Sequence, residues 1–273
     1  MQESKADMIS SDFITRKANS SLVDKYTIIR EYLQLVFLRY FYEVKKGPKC
    51  FFKGETAIRF LFNSFRFSED LDFTCVGESG EIRDNLRNEI LPKVESESGF
   101  KVLIKDEKQF GKIGVGLRLS FQPNELISQP LGIRLDFSFR EKPLDSEVSA
   151  ISVFDYPITP FPLISHLSKK EILSEKIRAI LVRNAPRDLF DLWFLLKQGT
   201  SLEWNFVVEK MKYYPEIKYD GEILGKEIQK YKTTDLENDL NQFLPSNYRS
   251  FYAKIPEETS ILLKEVLIKE NLQ

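Results

Sequence analysis

The segment RFSEDLDFTCV (66–76) sets the tightest condition on the fold. Its β-branched and aromatic content reads as a strand over DLDFTCV. A strand alternates faces, so Asp70 and Asp72 point to one side while Leu71 and Phe73 point to the other. One face must be core, and the other must carry two carboxylates in close succession. Glu69 lies on the face opposite the aspartates and is expected to turn to solvent or pair with Arg66. A second run, IRLDFSF (133–139), places Asp136 among apolar residues in the same way. If the two strands pair, three acids share a face. Such charges repel unless a cation lies between them, and a divalent ion such as Mg²⁺ is held by a few carboxylates plus substrate phosphates. Three acids on neighbouring strands therefore point to metal-dependent phosphoryl transfer. A lone DxD is usually a surface pair. The apolar flanks and the second acidic strand single this one out, because buried charge is costly unless paired or metal-bound.

The rest of the composition narrows the setting. The chain has 273 residues, enough for one large or two small domains. With 42% hydrophobic and 30% charged residues it reads as globular rather than disordered. Phe, with 22 copies, supplies most of the rings expected in the core. A net charge of −1 gives no global pull towards nucleic acid or membrane, so a polyanion needs a local basic patch. Cys50 and Cys75 lack CxxC spacing, and His166 is the single histidine, which argues against structural zinc. Two free, buried thiols are expected. The N-terminal MQESKADMISSDFITRK has no apolar core of a signal peptide, and no run of 18 apolar residues exists. A cytoplasmic protein without membrane contact is expected.

Along the chain, Ser21 is expected to cap a helix through LVDKYTIIREYLQLVFLRYFYE, stopped by KKGPK. CFF (50–52) reads as a strand, Gly54 as a turn and TAIRFLFNSF as a helix. Residues 81–97 read as a helix interrupted by Pro92. FKVLIKDE, GVGLRLSF and IRLDFSF read as strands separated by turns. The character changes near the proline-rich DYPITPFPL (155–163), and from Ser168 onward the pattern is helical. The expectation is an α+β chain in two parts: a mixed α/β core over 1–160 with an N-terminal helix, and a helical domain over 161–273.

Two segments flank the acidic strand with complementary chemistry. FFKGETAIRFLF runs strand, glycine, helix, and a helix N-terminus is an anion site that Gly54 lets a ligand approach closely; an ordinary strand-to-helix turn has the same pattern. In EKIRAILVRNAPRDLFDL, Leu173, Ile177, Ile180 and Leu181 form an apolar stripe, with Lys176 and Arg183 seven apart at its edge. Pro186 suits the first turn of a new helix, on which Asp188 and Asp191 share a face. Residues 169–188 hold six basic and three acidic side chains, a local excess in a nearly neutral chain. Ordinary ion pairs on a solvated helix account for these residues equally well.

Taken together, the turn glycine and its helix, RFSEDLDF, the strand bearing Asp136, and EKIRA followed by PRDLFDL resemble the AbiEii/AbiGii-type nucleotidyltransferase toxins, relatives of the MenT toxins in the DNA polymerase β-like nucleotidyltransferase superfamily. The resemblance spans roughly residues 20 to 200. It implies a polymerase β-like core, a mixed sheet with flanking helices, followed by a C-terminal helical bundle. It implies that Gly54 approaches an NTP, that Asp70 and Asp72 hold Mg²⁺ (or Mn²⁺), and that Asp136, the third acid, holds the metal nearest the acceptor hydroxyl and helps deprotonate it. Lys176 would contact phosphates, Asp188 would bind or orient the nucleotide, and Arg183 and Arg187 would support it; Ser68 and Glu55 fall in the same nucleotide-binding neighbourhood. Glu55 departs from the Gly-Gly or Gly-Ser usual at the turn and would repel a triphosphate unless it points away or helps hold metal. The implied activity is nucleotide transfer from an NTP to an acceptor, a tRNA 3′ end or another RNA. The implied setting is a toxin–antitoxin or phage-defence (abortive infection) system with a cognate antitoxin partner. Some relatives instead phosphorylate an antitoxin serine. A DxD sugar-nucleotide glycosyltransferase would account for Asp70 and Asp72 but not for Gly54 or the Lys176 helix. Glu55 favours a non-catalytic nucleotide- or RNA-binding module.

Overall fold

The structure is a computed structural model that describes residues 9–158 and 160–271. The first eight residues, and Thr159 within the proline-rich segment, lie outside the described residues. The chain forms two compact units, the first ending at His166 and the second beginning at Leu167.

The first unit opens with α1 (Ser11–Ser21) and α2 (Lys25–Glu43). Ser21 does not cap α2. It closes α1, Leu22 turns left-handed at φ 54°, and Asp24 caps α2 by accepting the Thr27 N–H at 2.9 Å. Ser and Asp are both good caps, and the left-handed turn between them decides which one serves. Next come β1 (Lys49–Lys53), α3 (Gly54–Phe62) and β2 (Asp70–Val76). Asn63, at φ 59°, ends α3 three residues earlier than the apolar pattern implies. The helical stretch that follows does not break at Pro92. α4 (Gly80–Asn85) passes through a π-turn at 86–90 into α5 (Leu91–Ser98), whose first turn holds the proline, where a missing N–H matters little.

The remaining strands are β3 (Val102–Phe110), β4 (Gly114–Phe121), β5 (Leu131–Ser138), β6 (Ser146–Ser149) and β7 (Ile164–Leu167). They complete a mixed seven-stranded sheet in the order β3-β4-β5-β2-β1-β7-β6. β2 pairs with β5, and β1 with β7, in parallel; the pairs β1–β2, β3–β4 and β4–β5 are antiparallel. Alternation gives the sheet two unlike faces. On one, Leu71, Phe73, Leu117, Leu119, Leu135 and Phe137 are buried. Phe41 of α2 packs on two of them, with ring centres 4.9 Å from Phe73 and 5.7 Å from Phe137, while Phe73 and Phe137 stack at 5.0 Å. Each such ring contributes about 1.5–3 kcal/mol. The other face carries the acidic side chains.

Behind the core, Glu31 of α2 pairs with Arg59 of α3 and accepts from the Tyr156 hydroxyl at 2.9 Å; Arg59 also donates to the Ser64 carbonyl at 2.8 Å. Buried charges persist only when satisfied in this way. Cys50 and Cys75 are not free thiols. They form a disulfide, because the β1–β2 register sets the two residues directly opposite each other.

The second unit is helical: α6 (Lys169–Arg183), α7 (Pro186–Lys197), α8 (Trp204–Met211), α9 (Gly221–Gln229), α10 (Thr233–Leu240), a 3₁₀ segment at 246–254 and α11 (Ile255–Asn271). Ser168 caps α6 by accepting the Glu171 N–H at 3.2 Å. Lys210 of α8, buried, donates to Glu171 at 2.6 Å and lies 3.3 Å from Glu175, which locks α8 to α6. Among the described residues no helix is long and apolar enough to cross a membrane.

Candidate functional site

The polar face of the sheet is ordered in rows by strand register. Lys53, Asp72, Asp136, Gly116 and Lys108 lie side by side across β1, β2, β5, β4 and β3. Two residues along, Asp70, Arg134, Arg118 and Lys105 form a second row. The pairing of β2 with β5 thus puts Asp136 directly beside Asp72 and on the face that also carries Asp70. Asp70 leans to Arg134, 3.6 Å away.

Burial, then the charges of Asp136, Asp70 and Glu55, push the Asp72 carboxyl up to about 7, with Lys53 opposing. Burial also raises Asp136, against the pull of Lys53, Arg134 and Arg140. Asp72 thus lies in a desolvated spot beside the like charges of Asp136 and Asp70, and the donors are the hard carboxylate oxygens that Mg²⁺ and Mn²⁺ take. The residues fit such a cation.

Gly54 stands at the join of β1 and α3 with φ +77°, and a Cβ there would collide with the Asp72 carboxylate. Only glycine allows this left-handed start and this approach to Asp72. No side chain caps the first turn of α3, a helix end whose N–H groups suit an anion. Glu55, the next residue, has its charge met by Arg66: Oε2 lies 3.2 Å from Nη2 of a nearly fully buried guanidinium. The Ser68 hydroxyl is 3.5 Å from the same oxygen. Glu69 does not take Arg66. It pairs with Arg30 of α2 at 2.8 Å and is half exposed.

In the second unit, Lys176, Arg183 and Asp188 come together, joined by Asp191. Asp188 is fully buried and accepts from Lys176 at 3.1 Å and from Arg183 through two N–H groups at 2.8 Å each. Lys176 also meets Asp191 at 2.7 Å. The seven-residue spacing of the two cations and the three-residue spacing of the two acids thus meet in one ion cluster. Arg187 lies at the start of α7, its main-chain N–H donating to Asp239 at 3.0 Å.

Sequence reasoning missed Lys53, Lys105, Lys108, Arg118, Arg134 and Phe110. They share the polar face with the acids only through cross-strand register, and no local spacing announces that. The alternation of GVGLRLSF and IRLDFSF was the available signal, since it assigns Arg118, Arg134 and Asp136 to one face.

A family model described as "Nucleotidyl transferase AbiEii toxin, Type IV TA system" matches residues 36–266. The chain belongs to this family. The match extends through helices beyond residue 200 that carried no recognisable motif. As a member of the AbiEii nucleotidyltransferase toxins, the chain is a nucleotidyltransferase of a type IV toxin–antitoxin system, which implies an antitoxin partner and a nucleotide substrate. Several solved structures share its fold. MenT4, a nucleotidyltransferase toxin from Mycobacterium tuberculosis H37Rv, is 16% identical with a TM-score of 0.66, covering 94% of this chain and 90% of that one. JHP933 from Helicobacter pylori is 19% identical with a TM-score of 0.53, covering 90% and 94% respectively. No curated protein matches the sequence.

Proposed function

We infer that the chain transfers a nucleotidyl group from an NTP to the hydroxyl of an RNA 3′ end, tRNA being the acceptor class the family resemblance implies, in a reaction that depends on a divalent cation. The observation that carries this reading is the side-by-side register of Asp72 and Asp136 on the polar face, with Asp70 two residues along and Gly54 against Asp72. Asp70, Asp72 and Asp136 would hold the cation, which would neutralise charge on the triphosphate. Gly54 and the first turn of α3 receive the phosphates, and Arg66 keeps the neighbouring Glu55 from repelling them. Asp136, whose raised proton affinity suits a base, takes the proton of the attacking hydroxyl. The oxygen so released bonds to the α-phosphorus, the α–β bridge breaks and pyrophosphate leaves. The family resemblance assigns Lys176 and Arg183 to phosphate stabilisation and Asp188 to binding or orienting the nucleotide, with Arg187 in support. The setting is a cytoplasmic toxin, silenced by its antitoxin, that halts growth or aborts phage infection.

Expression in a bacterial host tests this reading. Wild-type protein is expected to arrest growth and leave RNA 3′ ends extended by added nucleotides, and Asp136→Asn, expressed to the same level, to do neither. Growth arrest with unextended 3′ ends and labelled protein would replace the RNA acceptor with a protein one.

A further inference from the structure

We propose that the polar face of β3, β4 and β5 beside Asp136 is a docking platform for a single-stranded polynucleotide, with Phe110 as the base-stacking ring. Its role as the acceptor platform rests on the nucleotidyl-transfer reading above; the binding itself does not. Phe110 is a large apolar side chain, 53% exposed, on a face otherwise lined with charge. Its ring lies against Gly114 and Gly116, so the sheet backs one side of it and the two glycines leave no side chain to cover it. Around it stand Lys108 and Arg118, with Arg134 and Lys105 in the adjoining row, all exposed. Arg118 extends over Gly132, in the space a Cβ there would occupy. Phe110, Lys108, Arg118, Arg134 and Asp136 line one open cleft of about 390 Å³, shared with Asp106. Glu107, the other acid of this strand, is drawn to Arg83 and Arg87 at 2.6 and 2.9 Å.

An exposed ring set among basic side chains is the arrangement that holds unpaired nucleotides: bases stack on the aromatic face and cations follow the phosphates. A duplex hides its base faces and cannot use the ring. With the whole chain at net charge −1, this local group supplies the attraction that the overall charge does not. The platform runs along the sheet to Asp136, so a strand lying on it has its end at the carboxylates.

The test measures anisotropy of a labelled single-stranded RNA of about ten nucleotides, within the usual span of such sites. Full-length protein is used, with chelator and without NTP, against a DNA strand of the same sequence and an RNA duplex. Wild type is expected to bind both single strands and to bind the duplex more weakly; the tighter single strand names the acceptor. Phe110→Ala should weaken single-strand binding about tenfold. Arg118→Ala should weaken it and flatten the dependence of log affinity on log salt by about 0.7. Both side chains are exposed, and circular dichroism checks that the variants fold. Asp72→Asn should bind as wild type does while losing transfer, which separates the two claims. Wild type failing to bind a single strand, binding the duplex equally well, or binding undiminished in Phe110→Ala would overturn the platform. Weakened binding in the variants upholds it even where no transfer is detected, and then the transfer reading is what falls.

Discussion

Asp72 is the residue on which the site turns. Its carboxyl is pushed up to about 7 by burial first and by Asp136, Asp70 and Glu55 next. The folded chain thus holds this proton more tightly than the unfolded chain, whose aspartate titrates near about 4. The contribution to stability is complete below about 4 and is lost as pH rises through about 7. Cation-free protein should melt at a lower temperature at about pH 8 than at about pH 5, and Asp72→Asn should remove this part of the slope. Added Mg²⁺ should raise the midpoint chiefly at the higher pH, because cation and proton compete for one carboxylate. Calorimetry of both proteins checks this, and an unchanged slope in Asp72→Asn would refute it. At this scale the sequence was partly legible. Alternation alone set Asp70 and Asp72 apart from Leu71 and Phe73. The partners of Glu69 and Glu55 were not readable, because Arg30 lies 39 positions before the first and Arg66 is nearer in sequence to Glu69 than to Glu55. Proximity along the chain pointed to the wrong pair.

Among the elements, the β1–Gly54–α3 join couples backbone geometry to the site most closely. Gly54→Ala forces a side chain into a left-handed conformation and drives a methyl group into the Asp72 carboxylate. The backbone term is about 1 kcal/mol or more, a few degrees in melting temperature. The displaced carboxylate should lower the transfer rate by about a hundredfold, since misplacement near the chemistry on the order of 1 Å has that effect. Steady-state kinetics beside a thermal melt separates the two effects; full activity in Gly54→Ala would show that the close approach is unnecessary. The strands were legible because alternation and β-branched content coincide in DLDFTCV, GVGLRLSF and IRLDFSF. Helix edges were less so. Ser21 and Asp24 are both good caps, and the choice depended on Leu22 adopting a left-handed turn. The disulfide was hidden for a different reason: only the β1–β2 register brings Cys50 opposite Cys75, 25 residues away.

Over the whole molecule, each unit hides charge where it needs rigidity. The first buries Arg59 against Glu31, and the second buries Lys210 against Glu171 and Lys176 against Asp188 and Asp191. Removing one partner of such a pair leaves an uncompensated charge, so these pairs fix side-chain positions more than they add stability. The motif EKIRA with PRDLFDL was readable because cations seven apart and acids three apart fall on facing edges of consecutive helices. The later helices have ordinary amphipathic patterns that name no partner, and only the family match gave them an identity. The account stands on the carboxylates of the sheet's polar face carrying out nucleotidyl transfer. Its most direct measurement is transfer of label from each α-labelled NTP in turn to total cellular RNA, with Mg²⁺, by purified wild-type protein and by Asp72→Asn shown to be folded. The account predicts transfer by the wild type and a loss of about a thousandfold in the variant. Equal transfer by the two proteins would contradict it.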